Sequence, residues 1–372
     1  MKANPNRTIL RIFREMGIGI DASSEYEVFR AIRAGYAPQE IQLTGQELPQ
    51  RLEEIVKLGV EFNATSLHQL ESYGKLFPGT HASIRVNPGL GSGGTKRTNV
   101  GGPASSFGIW HEYLGAAKDT AKTYDLTITK LHTHIGSGSD PDIWKKIATM
   151  VLDIVRELPD VTTVSLGGGF KVARMPGEKE ANLHDIGLHV KTLFEDFARE
   201  TGRKLHLEIE PGTFLVANAC NVVTTIQDIV DTGSDGYTFL KVDSGMTELL
   251  RPSIYGAQHP IFVLPLEKGG RGDFTETQDY IVVGHNCESG DIFTPAPGDP
   301  EALAPRALTK AAIGDILIIE GAGSYGAAMS THGYNSFPEA GEVLLRTDGS
   351  LFEIRRRANE EDIWRNEVDI EV

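Results

Sequence analysis

Ile128-Thr129-Lys130-Leu131-His132-Thr133-His134 is followed by Gly136-Ser137, by a stretch from Ile143 to Leu158, and then by Val161 to Leu166 with Gly167-Gly168-Gly169 behind it. The two outer runs are short, β-like and closed by small or polar residues. The stretch between them spaces polar and apolar residues as an amphipathic helix does. Strand, helix, strand, glycine turn is the unit of a parallel sheet, because parallel neighbours need a crossover between them.

The unit repeats in both directions. β-like runs occur at Ile18–Asp21, Ile41–Thr44, Glu61–Asn63, Ala82–Val86 and Leu205–Glu210, and helix-patterned segments at Glu25–Ala34, Leu48–Leu58, Trp110–Tyr124 and Leu188–Glu200. Such alternation predicts a parallel (β/α) barrel, the α/β half of the fold. A closed barrel of this kind has eight strands, and seven are visible. Arg7–Glu15 reads as the helix after a first strand whose last residue would be Lys2. The expectation is therefore that this strand lies upstream and that the chain is a fragment or begins at a start codon read too far downstream.

Beyond residue 220 the texture changes to strands without helices between them: Val222–Val230, Tyr237–Val242, Ile261–Leu264, Tyr280–Val283, Ile316–Glu320, Glu342–Arg346 and Leu351–Arg356. Turn-rich Pro295–Pro300 and the polar loop Lys268–Asp273 separate some of them, which predicts an antiparallel β-sandwich or barrel-like module. Residues 1–220 are expected to form the barrel domain and 221–372 the β domain.

Composition narrows the function. The 372 residues carry 36 Lys and Arg against 51 Asp and Glu, a formal charge of −15, which argues against nucleic acid or an anionic membrane as partner. The two cysteines, Cys220 and Cys287, offer no disulfide framework, and no apolar run approaches membrane-spanning length. A cytoplasmic enzyme acting on a small molecule is the expectation, and no metal site is expected.

Reactive groups of such barrels collect at the carboxyl ends of the strands, where His134, Gly167–Gly169 and Glu210 fall. The glycine triplet either brings backbone N–H groups to a phosphate or simply makes a turn, and Gly321-Ala322-Gly323-Ser324-Tyr325-Gly326 admits the same two readings. Glu210 is either a paired structural acid or a functional one. Beside a pyridine ring its carboxylate would hold the ring nitrogen protonated and make the ring an electron sink.

Lys2-Ala3-Asn4-Pro5-Asn6, His132 to Ser137, Glu210-Pro211-Gly212, Asp243 to Pro260, Cys287-Glu288-Ser289-Gly290-Asp291 and Gly321 to Gly326 together resemble the fold-type III pyridoxal phosphate decarboxylases. That family shares its barrel with alanine racemase, and within it the branch acting on diaminopimelate is the most similar. The resemblance runs from Lys2 to about Glu342. It implies pyridoxal 5′-phosphate as cofactor, Lys2 as the lysine that binds it covalently, and His134 stacked on its ring. It further implies Ser137, Gly167, Gly168, Gly169 and Tyr325 at the phosphate, Glu210 at the ring nitrogen, and Arg85 with Asp21 near the phenolic side. Arg85 and Asp21 also fit a structural ion pair.

By the same resemblance Cys287 reaches a partner subunit's site and handles the proton delivered there, and Glu288 contacts the distal amino group of the substrate. A homodimer with shared sites is implied. Arg251 and Tyr255 match contacts to the substrate's distal carboxylate, whereas Thr213 stands after Glu-Pro-Gly where the diaminopimelate branch usually has arginine. Ser105-Ser106-Phe107-Gly108 likewise lacks the lysine of the family's usual element. The expected activity is decarboxylation of a diamino acid at its D-configured centre, with meso-diaminopimelate placed first. D-Lysine or D-ornithine, a catalytically silent relative, and a racemase on the same barrel stand as alternatives.

Overall fold

A computed structural model describes residues 1–93, 101–134, 136–137, 140–266 and 275–370. The chain forms two compact units, one of residues 1–173 and 179–215, the other of residues 174–178 and 216–372.

In the first unit seven strands lie in chain order across one parallel sheet: β1 (Ile20–Ala22), β2 (Ile41–Leu43), β3 (Glu61–Ala64), β4 (His81–Asn87), β5 (Thr127–His132), β6 (Thr163–Ser165) and β7 (His206–Glu208). The helices are α1 (Arg7–Glu15), α2 (Glu25–Ala34), α3 (Leu52–Leu58), α4 (Leu67–Leu76), α5 (Leu114–Thr123), α6 (Pro141–Arg156) and α7 (Leu183–Thr201). Asn6 caps α1, Ser24 caps α2 and Ser66 caps α4, each side chain accepting a backbone N–H of the first turn. Gly35, Gly59 and Gly202 end α2, α3 and α7 in the left-handed conformation.

The register explains which side chains meet. Asp21 lies beside Gln42 and Gln42 beside Glu61; Arg85 lies beside His132, His132 beside Ser165 and Ser165 beside Glu208. In a parallel ladder such partners point to one face. The opposite face carries Ile20, Ala22, Ile41, Leu43, Phe62, Ile84, Leu131 and Val164, all buried in one apolar cluster with Val28, Ile55, Leu70, Ala117, Ile147, Val151 and Val190 of the helices. Helix burial alone is thus apolar, and the other face of the sheet is polar.

The sheet curls. Its path ends at β1 and β7, yet the amide of Gln42 on β2 reaches Glu210, two residues past β7, at 2.6 Å. The seven parallel strands that the sequence predicts are present, joined by a short eighth, Ile109–Trp110, which pairs parallel with β4 off the main path, in a half-barrel whose terminal strands are not paired to each other among the described residues. Leu207 and Ile209, on the outer side of β7, are exposed.

The second unit holds a six-stranded sheet in the order β10-β13-β8-β9-β11-β12, with β8 (Val222–Asp231), β9 (Thr238–Val242), β10 (Ile261–Leu264), β11 (Thr277–Val283), β12 (Arg306–Thr309) and β13 (Ile316–Ile319). A short helix, α8 (Arg251–Tyr255), follows β9. Ile226, Leu240, Val242, Tyr280, Val282, Phe293, Leu317 and Ile319 form its core. Pairing is antiparallel except between β9 and β11, which run parallel, so the module is mostly rather than wholly antiparallel.

Local differences from the sequence reading have local causes. The helix expected from Leu48 starts at Leu52, since Pro49 disfavours helical backbone at Leu48. The one expected over Trp110–Tyr124 opens as a 3₁₀ turn, His111–Tyr113, before α5. Pro295–Pro300 is not a simple turn: Pro295–Ala296 and Asp299–Leu303 form a small hairpin. Strand β12 and helix α4 have no counterpart in that reading, and the loop Lys268–Asp273 falls outside the described residues.

Candidate active site

Each tip residue is placed by the strand before it. β5 ends at His132 and β7 at Glu208, so His134 and Glu210 sit in the loops two residues beyond, not within the strands. The glycine triplet follows β6 directly. A Cβ on Gly167 would lie 2.5 Å from His134 Nδ1, and one on Gly168 would lie 2.2 Å from the Glu210 carbonyl oxygen. Only glycine admits this approach of three loops.

The amides of the triplet have definite partners. Gly167 N–H donates to Ser165 Oγ at 3.2 Å and Gly168 N–H donates to His134 Nδ1 at 2.9 Å. The expectation that all three glycines donate to a phosphate therefore narrows to Gly169, whose φ of 98° only glycine adopts freely. Gly168 instead fixes His134: with Nδ1 accepting, a neutral ring carries its proton on Nε2. Burial, with Arg85 and Lys2 nearby, pushes His134 well below the usual histidine range. A ring held so low is neutral near pH 7.

Glu210 is the charged counterpart. Burial alone would raise its pKa, but His132 at 3.0 Å, His134 and the Ser165 hydroxyl at 2.9 Å outweigh burial and hold it far below the usual carboxylate range. Gln42 Nε2 donates to Glu210 Oε1 at 2.6 Å and to Asp21 Oδ1 at 3.0 Å. Lys130 Nζ donates to Gln42 Oε1 at 2.8 Å, and to Glu61 at 2.6 Å and Glu208 at 2.5 Å. Lysine has only donors, so Lys130 fixes which end of the Gln42 amide faces the two acids. Asp21 goes the other way: burial and the charge of Glu210 raise it to about 6.

Met1 and Lys2 close this corner. The α-ammonium of Met1 donates to the Asp21 carbonyl at 3.0 Å, and the Lys2 ammonium is near enough to Asp21 and His134 to depress both. Arg85 is buried, stacks over Phe107 at 5.0 Å, and makes no ion pair with Asp21 among the described residues, which removes the structural-pair reading. The backbone of Ser137 pairs with Ser92–Gly93; its side chain lies outside the described residues. His132, Ser165, Gln42 and Lys130 were not singled out in the sequence. Their signal is parity: Lys130, His132 and His134 alternate with apolar or small residues, placing one polar face on β5.

The remaining candidates belong to the second unit. Asp291 is buried and accepts the N–H groups of Met246 at 2.7 Å and Asn286 at 2.9 Å. Cβ atoms on Gly245 or Gly284 would strike its carboxylate, at 2.4 and 2.2 Å. This knot presents Cys287 and Glu288 outward: Cys287 is exposed, and Glu288 accepts from Tyr334 at 3.3 Å. Arg251 and Tyr255 share α8, the guanidinium carbon 6.0 Å from the ring centre. Tyr325 takes φ 54°, an uncommon value for a non-glycine residue, of the kind that clusters at functional loops.

The residues of the first unit fit pyridoxal phosphate by the chemistry of their donors: a primary amine, an ionised acid, a neutral ring and a glycine turn with no room for a Cβ. The comparisons agree. Residues 1–217 match the family described as pyridoxal-dependent decarboxylase, pyridoxal binding domain. The diaminopimelate decarboxylase of Escherichia coli K12 is 37% identical over 374 residues, covering 99% of this chain and 87% of that protein. That of Streptomyces coelicolor is 36% identical, covering 96% and 80%. A crystal structure of a diaminopimelate decarboxylase superposes with a TM-score of 0.90 at 36% identity, covering 98% of this chain and 86% of the other. The Helicobacter pylori enzyme complexed with L-lysine gives 0.82 at 28%, covering 98% and 88%. Glu210, His134 and the glycine turn thus stand on a barrel whose relatives carry the same chemistry, and the chain belongs to the diaminopimelate decarboxylase family of pyridoxal-dependent carboxy-lyases.

Proposed function

We propose that the chain decarboxylates meso-diaminopimelate at its D-configured centre to give L-lysine and CO2. The observation that carries this reading is Glu210, kept ionised by His132, Ser165 and Gln42 beside a neutral His134. When bound, pyridoxal phosphate supplies a protonated pyridine that accepts the electron pair left by departing CO2.

The chain's own residues supply the rest. Lys2 Nζ would hold the cofactor through its primary amine. Glu210 keeps a proton on the pyridine nitrogen, and His134 lies against the ring face. Gly169 N–H, Ser137 and Tyr325 bind the phosphate, while Gly167 and Gly168 shape the turn. Arg85 and Asp21 flank the phenolic side. Arg251 and Tyr255 take the distal carboxylate and Glu288 the distal amine. Cys287 Sγ, or Lys2 Nζ, returns a proton to the reacting carbon.

Cys287 and Glu288 act on a second copy of the chain, making a cytoplasmic homodimer with composite sites. Their exposure on the Asp291 knot supports this, since such a tip is free to enter a partner. No described helix is long and apolar enough to cross a membrane.

The test is CO2 release from meso-diaminopimelate, D-lysine and D-ornithine by cofactor-loaded protein. Meso-diaminopimelate is expected to be fastest; negligible turnover of it beside fast turnover of either D-amino acid reverses the substrate assignment. Lys2→Ala is expected to abolish turnover. Mixing Lys2→Ala with Cys287→Ala is expected to restore part of it, and no restoration in a mixture shown to exchange subunits argues against shared sites.

A further inference from the structure

Arg174 and Arg251, both in the second unit, are guanidinium groups without a carboxylate. Arg251 makes no hydrogen bond or ion pair among the described residues; its Nε is fully buried without an acceptor, its guanidinium carbon lies 6.0 Å from the Tyr255 ring centre, and Tyr325 is within electrostatic reach. Arg174 donates from Nε to the Gly321 carbonyl at 3.0 Å and from Nη2 to Ser324 Oγ at 2.9 Å, leaving Nη1 without an acceptor. Both acceptors are neutral and belong to the Gly321–Gly326 loop that carries Tyr325. The one nearby acid, Glu178, accepts the backbone N–H groups of Arg174 and Met175 at 2.8 and 3.3 Å and pairs with neither guanidinium.

Two cations in this state are unusual in a chain of charge −15. A buried charge is ordinarily paired, because desolvation costs more than unpaired burial returns. Both arginines border one segment: Arg174 holds the Gly321–Gly326 loop, and Tyr255, one turn after Arg251 on α8, reaches Met329 Sδ at 4.0 Å, three residues beyond that loop; burial, and then the charge of Arg251, lowers Arg174 to about 10. His259, buried nearby with Nδ1 at 2.9 Å from the Glu320 carbonyl, is held to about 3 by burial and by the arginines and contributes no charge of its own. The ligand chemistry that suits such guanidinium groups is an anion, above all a carboxylate, which each fork can meet with two hydrogen bonds.

We infer that Arg174 is a specificity-determining residue that joins Arg251 in holding the second carboxylate of the substrate. The inference rests on the diamino acid reading above and adds a residue to it. Arg174 is suited to the role because the Gly321 and Ser324 contacts fix its fork in place before any ligand arrives, so little side-chain freedom is lost on binding.

The experiment compares kcat and KM for meso-diaminopimelate and for D-lysine, which has no second carboxylate, in wild type, Arg174→Gln and Arg174→Lys. Loss of one charged contact predicts a rise in KM for meso-diaminopimelate of about tenfold to a hundredfold in Arg174→Gln. D-Lysine, which depends on the same loop contacts but has no second carboxylate, is expected to lose less than meso-diaminopimelate does, with Arg174→Lys recovering part of the difference. Equal losses for both substrates, no loss for either, or a lysine variant no better than glutamine overturns the assignment. If wild type turns over neither substrate, the diamino acid reading fails, and calorimetric binding of glutarate judges Arg174 separately. Binding to wild type that weakens at least about tenfold in Arg174→Gln supports the assignment of Arg174; no binding to wild type, or equal binding to both, overturns it.

Discussion

The polar face of the parallel sheet and the two arginines Arg174 and Arg251 of the second unit both bury charge, and they treat it in opposite ways. On the sheet, Lys130 meets Glu61, Glu208 and Gln42, and Glu210 meets His132, Ser165 and Gln42, so each charge has partners within the protein. Among the described residues, Arg251 has no acceptor and Arg174 only neutral ones. The difference separates charges that hold a scaffold from charges held for a ligand. Paired groups fix geometry and pKa before chemistry begins; unpaired ones keep a desolvation cost that a bound anion offsets.

The strongest way to break this contrast is at Glu210. Glu210→Gln keeps the shape and removes the charge that His132 and Ser165 organise; CO2 release is expected to fall about 10²–10³-fold, the usual loss when a preorganised electrostatic group is removed. Near-normal turnover would remove Glu210 from that role. Next is Lys130→Met, which leaves Glu61 and Glu208 facing each other. Both acids are partly solvent-exposed, so the cost is discounted to about 1–3 kcal/mol, read by denaturant unfolding of the first unit.

Arg251→Met sharpens the comparison from the other side. With no partner to orphan, this variant is expected to lose substrate binding yet keep its unfolding free energy within about 0.5 kcal/mol of wild type, and a loss as large as that of Lys130→Met would erase the distinction between the regions. The smallest effect is a pH dependence. Asp21 has its folded pKa raised from 3.8 to about 6, by burial and then by Glu210. Its contribution is fully present below 3.8 and is lost as pH rises through about 6. Asp21→Asn should therefore gain stability relative to wild type across that window, measured by unfolding at a series of pH values. A constant difference would mean that Asp21 does not titrate there.

Much of this was legible from residue order. All seven parallel strands lie where short β-like runs end in small or polar residues, because a βα unit writes its period into local sequence. Strand ends were less legible: β5 stops at His132 rather than His134, since the loops to Gly167 and Glu210 draw the next residues out of the ladder. β12 and α4 escaped because short or weakly patterned segments take their conformation from packing. Lys130 and Gln42 escaped for another reason: a lysine and a glutamine in separate strands acquire meaning only when the register sets them on one face.

The sequence by itself determined the barrel-then-β order and the family, and it singled out Lys2, His134, Glu210 and the glycine turn as site candidates, because each lies in a short contiguous block. It also showed that Thr213 stands where a cation was expected. Only the tertiary structure decided which amides of the triplet are already engaged, that Gln42 joins Asp21 to Glu210, and that Arg174 lies with Arg251. Hydrogen-bond partnership and desolvation depend on residues far apart in the chain, and no local pattern records them.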